Sequence, residues 1–361
     1  MNLQLSTSIA NTLNQDCFCI TLDRDRLHAA LLTDSEEPLT EELLRQRPNM
    51  FSNIPMFVST TLFQQMHATV LAVEAAARLP EYRERVLSWA PEIARPDFGP
   101  QGVFMGYDFH LSTDGPRLIE INTNAGGAFL NARLAEAQRA CCVETEDFFK
   151  RFGAGSHYDD LYWAMFIDEW HAQGHAGIPQ TIAIVDDDPE AQYLFPEFGL
   201  ARNLFSSRGV KALIVDAKQL QHDSRGLTAH GEKISMVYNR LVDFDLSEPV
   251  HEPLRRSYLE QSAVITPNPH LHAMLADKRN LAVLSDVDTL VGWGLPPQHT
   301  TAIGNILRTR VVTADQAEEF WAQRKKLFFK PMAGYGSKAV YRGDKLTRGV
   351  WNEILKGGYV A

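Results

Sequence analysis

Apolar residues recur at intervals of three to four positions along the first quarter of the chain. The pattern is clearest at residues 62–78 and 82–89, with a break at Pro80. This spacing predicts amphipathic helices, and therefore a helical N-terminal region over residues 1–100. Two further helices are expected at residues 130–151 and 159–172.

A different pattern follows at residues 103–111 and 117–122, where two runs of strand-forming residues flank a Ser-Thr-Asp-Gly turn. This arrangement predicts a β-hairpin. If the turn is a three-residue loop that ends at Gly115 in the left-handed conformation, Asp108 lies directly opposite Glu120.

Residues 181–185 form a short, apolar, β-branched run, an amphipathic stretch covers 192–207, and a second apolar run covers 211–215. A strand, a helix and a strand at this spacing predict a βαβ unit with parallel strands. We therefore expect a small Rossmann-like domain over residues 181–286, with a hairpin insertion at 227–238. Nearer the C-terminus, strand and turn patterns flank a predicted helix.

Composition limits the classes of protein to consider. Of the 361 residues, 45% are hydrophobic and 22% charged, which is typical of folded globular proteins. The net charge of −10 and the lack of a basic stripe argue against a nucleic-acid partner. No apolar run approaches the roughly 20 residues needed to cross a bilayer, and the N-terminus lacks a secretory pattern, so we predict a cytoplasmic protein without membrane contact.

The four cysteines predict neither a zinc site nor a redox site. Cys17, Cys19, Cys141 and Cys142 stand in CxC and CC spacings that match no common zinc or redox motif. We expect free structural thiols. Whether the chain forms a homo-oligomer is left open by the sequence.

Three oxygen-bearing side chains are expected on one face of the predicted hairpin. Glu120 and Asn122 alternate along one strand and so point the same way, and Asp108 lies opposite Glu120. Two carboxylates and an amide oxygen are hard ligands that suit Mg²⁺. The alternative is an exposed hairpin with an acidic outer face. The apolar neighbours of Glu120 favour the metal site, because a carboxylate on a buried face needs a cation.

A second candidate site begins at Lys330, which ends a predicted strand. The segment after it, residues 334–338, is called the glycine loop here and contains Gly334, Gly336, Ser337 and Lys338. Glycines let backbone amides approach phosphate oxygens, and a lysine ammonium adds a point charge. The segment matches neither the Walker pattern nor a dinucleotide fingerprint, and an ordinary glycine-rich turn has the same composition.

Two further segments are ambiguous on their own. Asp277, Lys278 and Arg279 stand at the start of a predicted helix, where such a run is usually a solvated helix face. His270 and His272 form an HxH pair in a proline turn, a pattern that marks a loop more often than a metal site.

Together these segments resemble the ATP-grasp superfamily. In that family a lysine in a DK segment follows a Rossmann-like domain, a second lysine precedes a glycine-rich loop, and an acidic residue followed farther along by Glu-x-Asn holds Mg²⁺. Lys278 resembles the first lysine and Lys330 the second. The metal set corresponds to Asp108, Glu120 and Asn122. The resemblance implies that both lysines and the acidic hairpin meet in one cleft that binds ATP and Mg²⁺, with the glycine loop around the phosphates.

The order of the segments departs from the usual one, because the metal hairpin precedes both lysines. In this respect the chain is similar to circularly permuted ATP-grasp proteins of the glutathionylspermidine synthase-like or glutathione synthetase-like type. The resemblance implies an α/β (α+β) fold with four parts: a helical N-terminal region at 1–100, the metal-binding part of the ATP-grasp domain at 101–178, a Rossmann-like pre-ATP-grasp domain at 179–286, and the lysine and glycine-loop part at 287–361. The family continues past this point, so the resemblance implies a fragment that is truncated at the C-terminus and nearly inactive by itself.

The resemblance further implies an ATP-dependent ligase that activates a carboxylate as an acyl phosphate and joins it to an amine through a C–N bond. The acid is expected to be a peptide or amino-acid-like. Lys330 and Arg240 are the implied catalytic residues, although Arg240 could instead be a surface or interface arginine. Asn124, Gly126 and Gly127 are candidates for substrate contact or for a structural turn. Two alternatives stay open: a kinase on the same fold, and a nucleotide-binding protein without turnover.

Overall fold

The computed structural model describes residues 3–16, 21–32, 45–138, 158–333 and 339–361. The chain forms two compact units, each assembled from three separate stretches. Unit 1 consists of Met1–Val58, Pro96–Met105 and Thr123–Pro269, and unit 2 of Ser59–Arg95, Gly106–Asn122 and His270–Ala361. All four cysteines and the glycine loop lie outside the described residues, so the predictions made for them stay untested.

Helices occur in both units and are numbered in chain order. Those of the described residues are α1 Leu3–Asp16, α2 Arg24–Leu32, α3 Thr60–Ala77, α4 Pro80–Leu87, α5 Ala128–Glu136, α6 Tyr158–Ala172, α7 Phe195–Ser207, α8 Glu252–Leu259, α9 Pro269–Leu275, α10 Lys278–Leu284, α11 Val287–Gly292, α12 Pro297–Ile303, α13 Ala317–Gln323 and α14 Arg348–Ile354. The helices predicted from periodicity at 62–78, 82–89, 159–172 and 192–207 are confirmed as α3, α4, α6 and α7. Of the helix predicted at 130–151, α5 accounts for the first part, and residues 139–157 lie outside the described ranges.

The strands form small sheets, so the fold mixes helices with sheets as predicted. In the same part of the chain the strands are β1 Gly106–Ser112, β2 Gly115–Asn122, β3 Thr181–Asp186, β4 Lys211–Asp216, β5 Gln221–Asp223, β6 Gly226–Ala229, β7 Glu232–Lys233, β8 Met236–Asn239, β9 Val264–Thr266, β10 Phe328–Pro331, β11 Tyr341–Arg342 and β12 Tyr359–Val360.

Unit 1 is built around a four-stranded parallel sheet with the order β4-β3-β8-β9. All six residues of β3 are buried, which explains why its sequence is a continuous apolar run without polar alternation. The pairing of β3 with β4 through α7 confirms the predicted βαβ unit. The predicted hairpin insertion at 227–238 is wrong in its second half. β6 pairs in an antiparallel manner with β7 and also with β5, whereas β8 is a fully buried strand of the parallel sheet.

Aromatic rings fill the core of unit 1 beside this sheet. Phe104 contacts the rings of Phe129, Tyr162, Phe166 and Tyr238, with ring centres 5.0–6.0 Å apart. Edge-to-face packing of this kind suits the charge distribution of aromatic rings.

Unit 2 contains the β1–β2 hairpin, the three-stranded sheet β11-β10-β12 and most of the C-terminal helices. Helix α3 packs against β2 and α12. A smaller apolar core lies under β10 and is made of Val312, Phe320, Phe329, Trp351 and Ile354. No helix in the described ranges is long and apolar enough to span a membrane.

The aromatic core of unit 1 allows a direct test of the packing. Phe166 is fully buried and contacts Phe205 and Tyr238, with ring centres 4.8 and 5.2 Å away. We expect Phe166→Ala to lower the free energy of unfolding by about 3–5 kcal/mol, because it removes apolar area and leaves a cavity. Leu161→Ala on the same helix is the control, since Leu161 is 62% exposed and its loss should change stability by less than about 1 kcal/mol. Urea denaturation of both variants measures this, and equal losses would contradict the packing.

Candidate functional site

The turn of the β1–β2 hairpin is shorter than predicted. Ser112 pairs with Gly115, so the loop has two residues and not three. The Ser112 hydroxyl stabilises the turn by donating to the Gly115 carbonyl oxygen (2.8 Å) and accepting from the Asp114 N–H (3.2 Å). Gly115 has a φ of +107°, the conformation for which glycine was predicted there.

A β-bulge in β2 nevertheless restores the predicted pairing of Asp108 with Glu120. Phe109 pairs with Leu118 and Asp108 with Glu120, which leaves Ile119 as an extra residue in the second strand. The bulge also shifts the burial pattern: Pro116 and Leu118 are buried before it, and Ile121 after it. Without the extra residue, strict alternation would carry Glu120 to the buried face.

The three predicted metal ligands lie on this hairpin, where Asp108 pairs with Glu120. Asn122 Nδ2 lies 3.5 Å from Asp108 Oδ2, at the limit of a hydrogen bond, and Asp108 is exposed. Among the described residues no group of three or more His, Cys, Asp and Glu side chains has the geometry of a metal site. The set fits Mg²⁺ by its chemistry, because two carboxylates and one amide leave positions for water and phosphate, as Mg²⁺ usually requires.

The carboxylate of Glu120 contacts both predicted lysines. Glu120 Oε1 lies 3.1 Å from Lys278 Nζ, and Glu120 Oε2 lies 3.5 Å from Lys330 Nζ. The Glu120 side chain is 22% exposed and that of Lys278 only 7%. Three segments distant in sequence thus meet at one carboxylate, as predicted for a shared cleft. The binding roles of these residues stay predictions.

Lys278 reaches this position because it is the first residue of helix α10. The Asp277 side chain caps the helix by accepting from the Arg279 N–H (2.8 Å), and the Lys278 N–H donates to the Met332 carbonyl oxygen (3.1 Å). Asp277 also pairs with the Arg279 guanidinium (2.5 Å). A solvated helix face, the usual interpretation of such a charged run, is therefore wrong for Lys278, which is buried.

Helix α10 is fixed to the N-terminal part of unit 2 through Trp89. The guanidinium carbon of Arg279 lies 5.4 Å from the Trp89 ring centre. The fully buried Asn280 accepts from Trp89 Nε1 (3.3 Å) and donates to the Ala273 carbonyl oxygen (2.8 Å). These contacts hold the first turn of the helix, and hence Lys278, in place.

Lys330 lies on the central strand of the β11-β10-β12 sheet, where it pairs with Val360. Its ammonium donates to the Ile119 carbonyl oxygen (3.3 Å) in addition to contacting Glu120. Because Ile119 is the bulge residue, the irregularity in β2 supplies one of the groups that orient Lys330. The glycine loop that follows lies outside the described residues, so Gly334, Gly336, Ser337 and Lys338 have no structural placement.

The two histidines of the HxH pair lie at the start of helix α9 and not in a loop, so the loop interpretation is corrected. His270 Nδ1 hydrogen-bonds the Ala94 carbonyl oxygen (2.7 Å), which gives it a structural role. Burial lowers the pKa of His272 to about 4, and the charge of Lys278 acts in the same direction while Asp277 opposes it. His272 is therefore neutral at physiological pH.

The remaining predicted residues lie in unit 1, where Arg240 follows strand β8. Its guanidinium donates to Asn124 Oδ1 and to the Ala125 carbonyl oxygen (3.3 Å), and lies 5.3 Å from the Tyr238 ring centre. Arg240 is 8% exposed. It therefore holds the loop that carries Asn124, a structural role that accompanies any binding role.

Gly126 and Gly127 are explained by packing within unit 1. A Cβ on Gly126 would lie 2.4 Å from Leu194 Cδ1 and 2.8 Å from Arg240 Nη2. Gly127 has a φ of +93°, and its N–H donates to Glu197 Oε2 (2.7 Å). Of the two interpretations left open, the structural turn accounts for both residues.

Glu197 is a buried carboxylate that the sequence pattern did not reveal. It is fully buried and accepts from the Gly127 and Phe129 N–H groups (2.7 and 3.2 Å) at the start of helix α5. A negative charge there satisfies unpaired amides and complements the helix dipole. Glutamate in an amphipathic helix usually faces solvent, so nothing in the pattern distinguished it.

A polar cluster at the carboxyl end of the parallel sheet was also missed. Asp186 ends β3, and burial raises the pKa of its carboxyl group to about 7, although the Asp187 N–H and Arg240 oppose this. His251 lies between Asp187 Oδ1 (3.0 Å) and Asp243 Oδ2 (2.7 Å). Burial lowers the pKa of His251, but these hydrogen bonds outweigh it and raise the pKa overall. Ligands of open parallel sheets bind outside the carboxyl ends of the strands. The run Asp186-Asp187-Asp188 at the end of the apolar β3 segment was therefore a signal present in the sequence.

Comparison with known proteins bears on the fold alone. The fold is similar to that of a glutathione synthetase-like effector from Globodera pallida, solved in its apo form, with a TM-score of 0.55 and 14% sequence identity over 94% of this chain and 82% of that chain. No protein-family model matches the sequence, and no curated protein is significantly similar to it.

The low pKa of His272 predicts a pH dependence of stability. Its folded pKa lies near 4 and its unfolded pKa near 6.5, so the unfolded state binds more protons between these values. The contribution of His272 to stability is fully present above about pH 6.5. It is lost as the pH falls towards 4, by at most about 1.4 kcal/mol per pH unit. His272→Gln should remove this part of the slope, as measured by urea denaturation at successive pH values. His110→Gln, at an exposed position of β1, is the control and should retain the slope. An unchanged slope in His272→Gln would contradict the assignment.

Proposed function

We propose that this protein binds Mg-ATP at the Glu120, Lys278 and Lys330 site and joins a carboxylate to an amine through an acyl phosphate. The observation that carries the proposal is the meeting of both lysines at one carboxylate, 3.1 and 3.5 Å from its two oxygens. Lys330 is separated from Glu120 by 210 residues in the chain. A purely structural ion pair needs only one lysine for one carboxylate, whereas Glu120 contacts two. The partly desolvated ammonium groups of Lys278 and Lys330 together suit a polyphosphate.

The lysines contribute charge and position. Lys278 is buried at a capped helix start, and Lys330 is fixed by a backbone carbonyl, so both ammonium groups are held with little freedom. Preorganised positive charge stabilises phosphoryl transfer most in its transition state, where negative charge spreads over the transferred oxygens. Little covalent chemistry is then required of the protein.

Asp108, Glu120 and Asn122 would hold the metal. When bound, Mg²⁺ supplies charge neutralisation between neighbouring phosphates. The bulge at Ile119 pairs Glu120 with Asp108 across the hairpin, and the Glu120 carboxylate contacts both lysines. Glu120 therefore belongs both to the proposed metal ligands and to the proposed phosphate site.

The fold likeness to a glutathione synthetase-like protein supports a ligase over other classes of nucleotide-binding protein. The permuted ATP-grasp order, in which the metal hairpin precedes both lysines, is part of the proposal, as is the assignment of the parallel sheet of unit 1 as a Rossmann-like pre-ATP-grasp domain. A peptide or amino-acid-like acid is the proposed substrate class. Arg240 and Asn124, at the carboxyl end of β8, are the groups of unit 1 proposed to recognise its carboxylate.

An ADP-release assay tests the reaction. ADP should form when Mg²⁺ and a carboxylate are both present, because the acyl phosphate and ADP arise in the same step, and turnover should be sustained when an amine captures the acyl phosphate. A panel of amino acids, short peptides and polyamines supplies the substrates. A stable phosphorylated product formed without amine would indicate a kinase. Binding of ATP without any Mg²⁺-dependent release of ADP would indicate a nucleotide-binding protein without turnover.

Lys330→Ala tests the phosphate role separately from turnover. We expect ATP affinity to fall by about 1.5–3 kcal/mol, or roughly 10- to 150-fold, because a charge-assisted contact is lost. Isothermal titration calorimetry measures the affinity, and circular dichroism checks that folding is retained. Lys326→Ala is the matched control, since Lys326 is exposed in the segment that precedes β10 and should not change ATP affinity. Equal affinities in Lys330→Ala and wild type would contradict the role.

A further inference from the structure

Glu120 is both a proposed metal ligand and the partner of two lysines, and these two roles require its oxygens to point in different directions. As a metal ligand it must direct an oxygen towards a divalent cation. In the structure both of its oxygens are directed at ammonium groups, Oε1 at Lys278 and Oε2 at Lys330. The cation and the lysines therefore compete for one carboxylate.

The low exposure of Lys278 and Glu120 strengthens this competition. Lys278 is 7% exposed and Glu120 22%, so water screens their attraction far less than it would at an open surface. Asp108 differs from Glu120 in this respect: it is exposed, and its contact in the hairpin is with the amide of Asn122. Of the two candidate metal carboxylates, the structure pairs only Glu120 with the lysines of the proposed phosphate site.

We propose that Glu120 couples the binding of nucleotide to the binding of metal by holding Lys278 and Lys330 until a divalent cation draws its carboxylate away. This inference rests on the proposed function. Without metal, a polyphosphate must compete with Glu120 for both lysines and is repelled by its charge. With metal, the carboxylate turns to the cation and the two ammonium groups become available to the phosphates. By linkage, the same factor by which metal strengthens nucleotide binding describes how nucleotide strengthens metal binding.

Glu120→Gln separates this coupling from a simple ligand role. The substitution removes a metal ligand but also releases the lysines from a negative charge at nearly constant volume. ATP and inorganic tripolyphosphate, titrated calorimetrically in EDTA and in Mg²⁺, are the probes. Wild type should bind both at least tenfold more weakly in EDTA. In Glu120→Gln the affinity in EDTA should rise by about tenfold, the size expected for one charge-assisted contact, and the effect of Mg²⁺ should largely disappear.

Asp108→Asn is the matched control. It also removes one carboxylate from the metal set, but it leaves Glu120 on both lysines. The effect of Mg²⁺ should shrink, whereas affinity in EDTA should change by less than about twofold, because Asp108 is exposed and its charge is screened.

The reverse direction is tested by metal binding alone, and it decides the matter if Glu120→Gln does not fold. Lys330→Met removes one competitor for the carboxylate and should raise the affinity for Mn²⁺, followed by electron paramagnetic resonance without nucleotide, by about tenfold. Lys326→Met makes the same charge change at an exposed position and should leave Mn²⁺ affinity unchanged.

The outcomes distinguish this inference from the function on which it rests. If wild type binds Mg-ATP but Glu120→Gln binds ATP in EDTA no better than wild type, the coupling is overturned and the proposed function stands. Unchanged Mn²⁺ affinity in Lys330→Met overturns the coupling in the same way. If wild type binds neither ATP nor tripolyphosphate under any condition, the proposed function fails and the coupling falls with it.

Discussion

The contact of one carboxylate with two ammonium groups is the interaction on which the candidate site depends. Glu120 comes from a hairpin, Lys278 from the first turn of a helix and Lys330 from the central strand of a small sheet. Each of these elements has its own anchor: the β-bulge at Ile119, the Asp277 cap and the pairing of Lys330 with Val360. These anchors fix the backbone positions of the three residues, and the ammonium groups are held further by the burial of Lys278 and by the contact of Lys330 with the Ile119 carbonyl oxygen.

The hydrophobic pattern predicted the helices and strands well. At the hairpin, the wrong turn length and the unpredicted bulge had opposite effects on the strand pairing. Helical periodicity identified α3 and α6, and the buried run of β3 identified the parallel sheet. The turn was expected to have three residues and has two, which by itself would have displaced Asp108 from Glu120. The extra residue at Ile119 restores the pairing. A bulge of this kind has no sequence pattern of its own, because Ile119 is an ordinary strand residue.

Long-range contacts were accessible only through the family resemblance. Charge and spacing predicted a solvated helix face at Lys278, yet its side chain is buried because α10 is anchored on Trp89. The capping of α5 by Glu197 and the position of His251 between two aspartates depend on which strands and helices become neighbours. Periodicity carries no information about such neighbours. Arg240, Gly126 and Gly127 illustrate this. A motif alone would attribute them to ligand binding, whereas packing within unit 1 explains all three.

The interleaving of the two units has a consequence for synthesis on the ribosome. Residues 59–95 and 106–122 of unit 2 emerge early, but the rest of that unit begins only at His270. Glu120 precedes Lys330 by 210 residues, so at about 5–20 residues per second it waits roughly 10–40 s for this partner. The last stretch of unit 1, Thr123–Pro269, emerges within that interval, so unit 1 is complete before the rest of unit 2 is synthesised. The acidic hairpin and helix α3 therefore lack the rest of unit 2 until the last quarter of the chain has been translated.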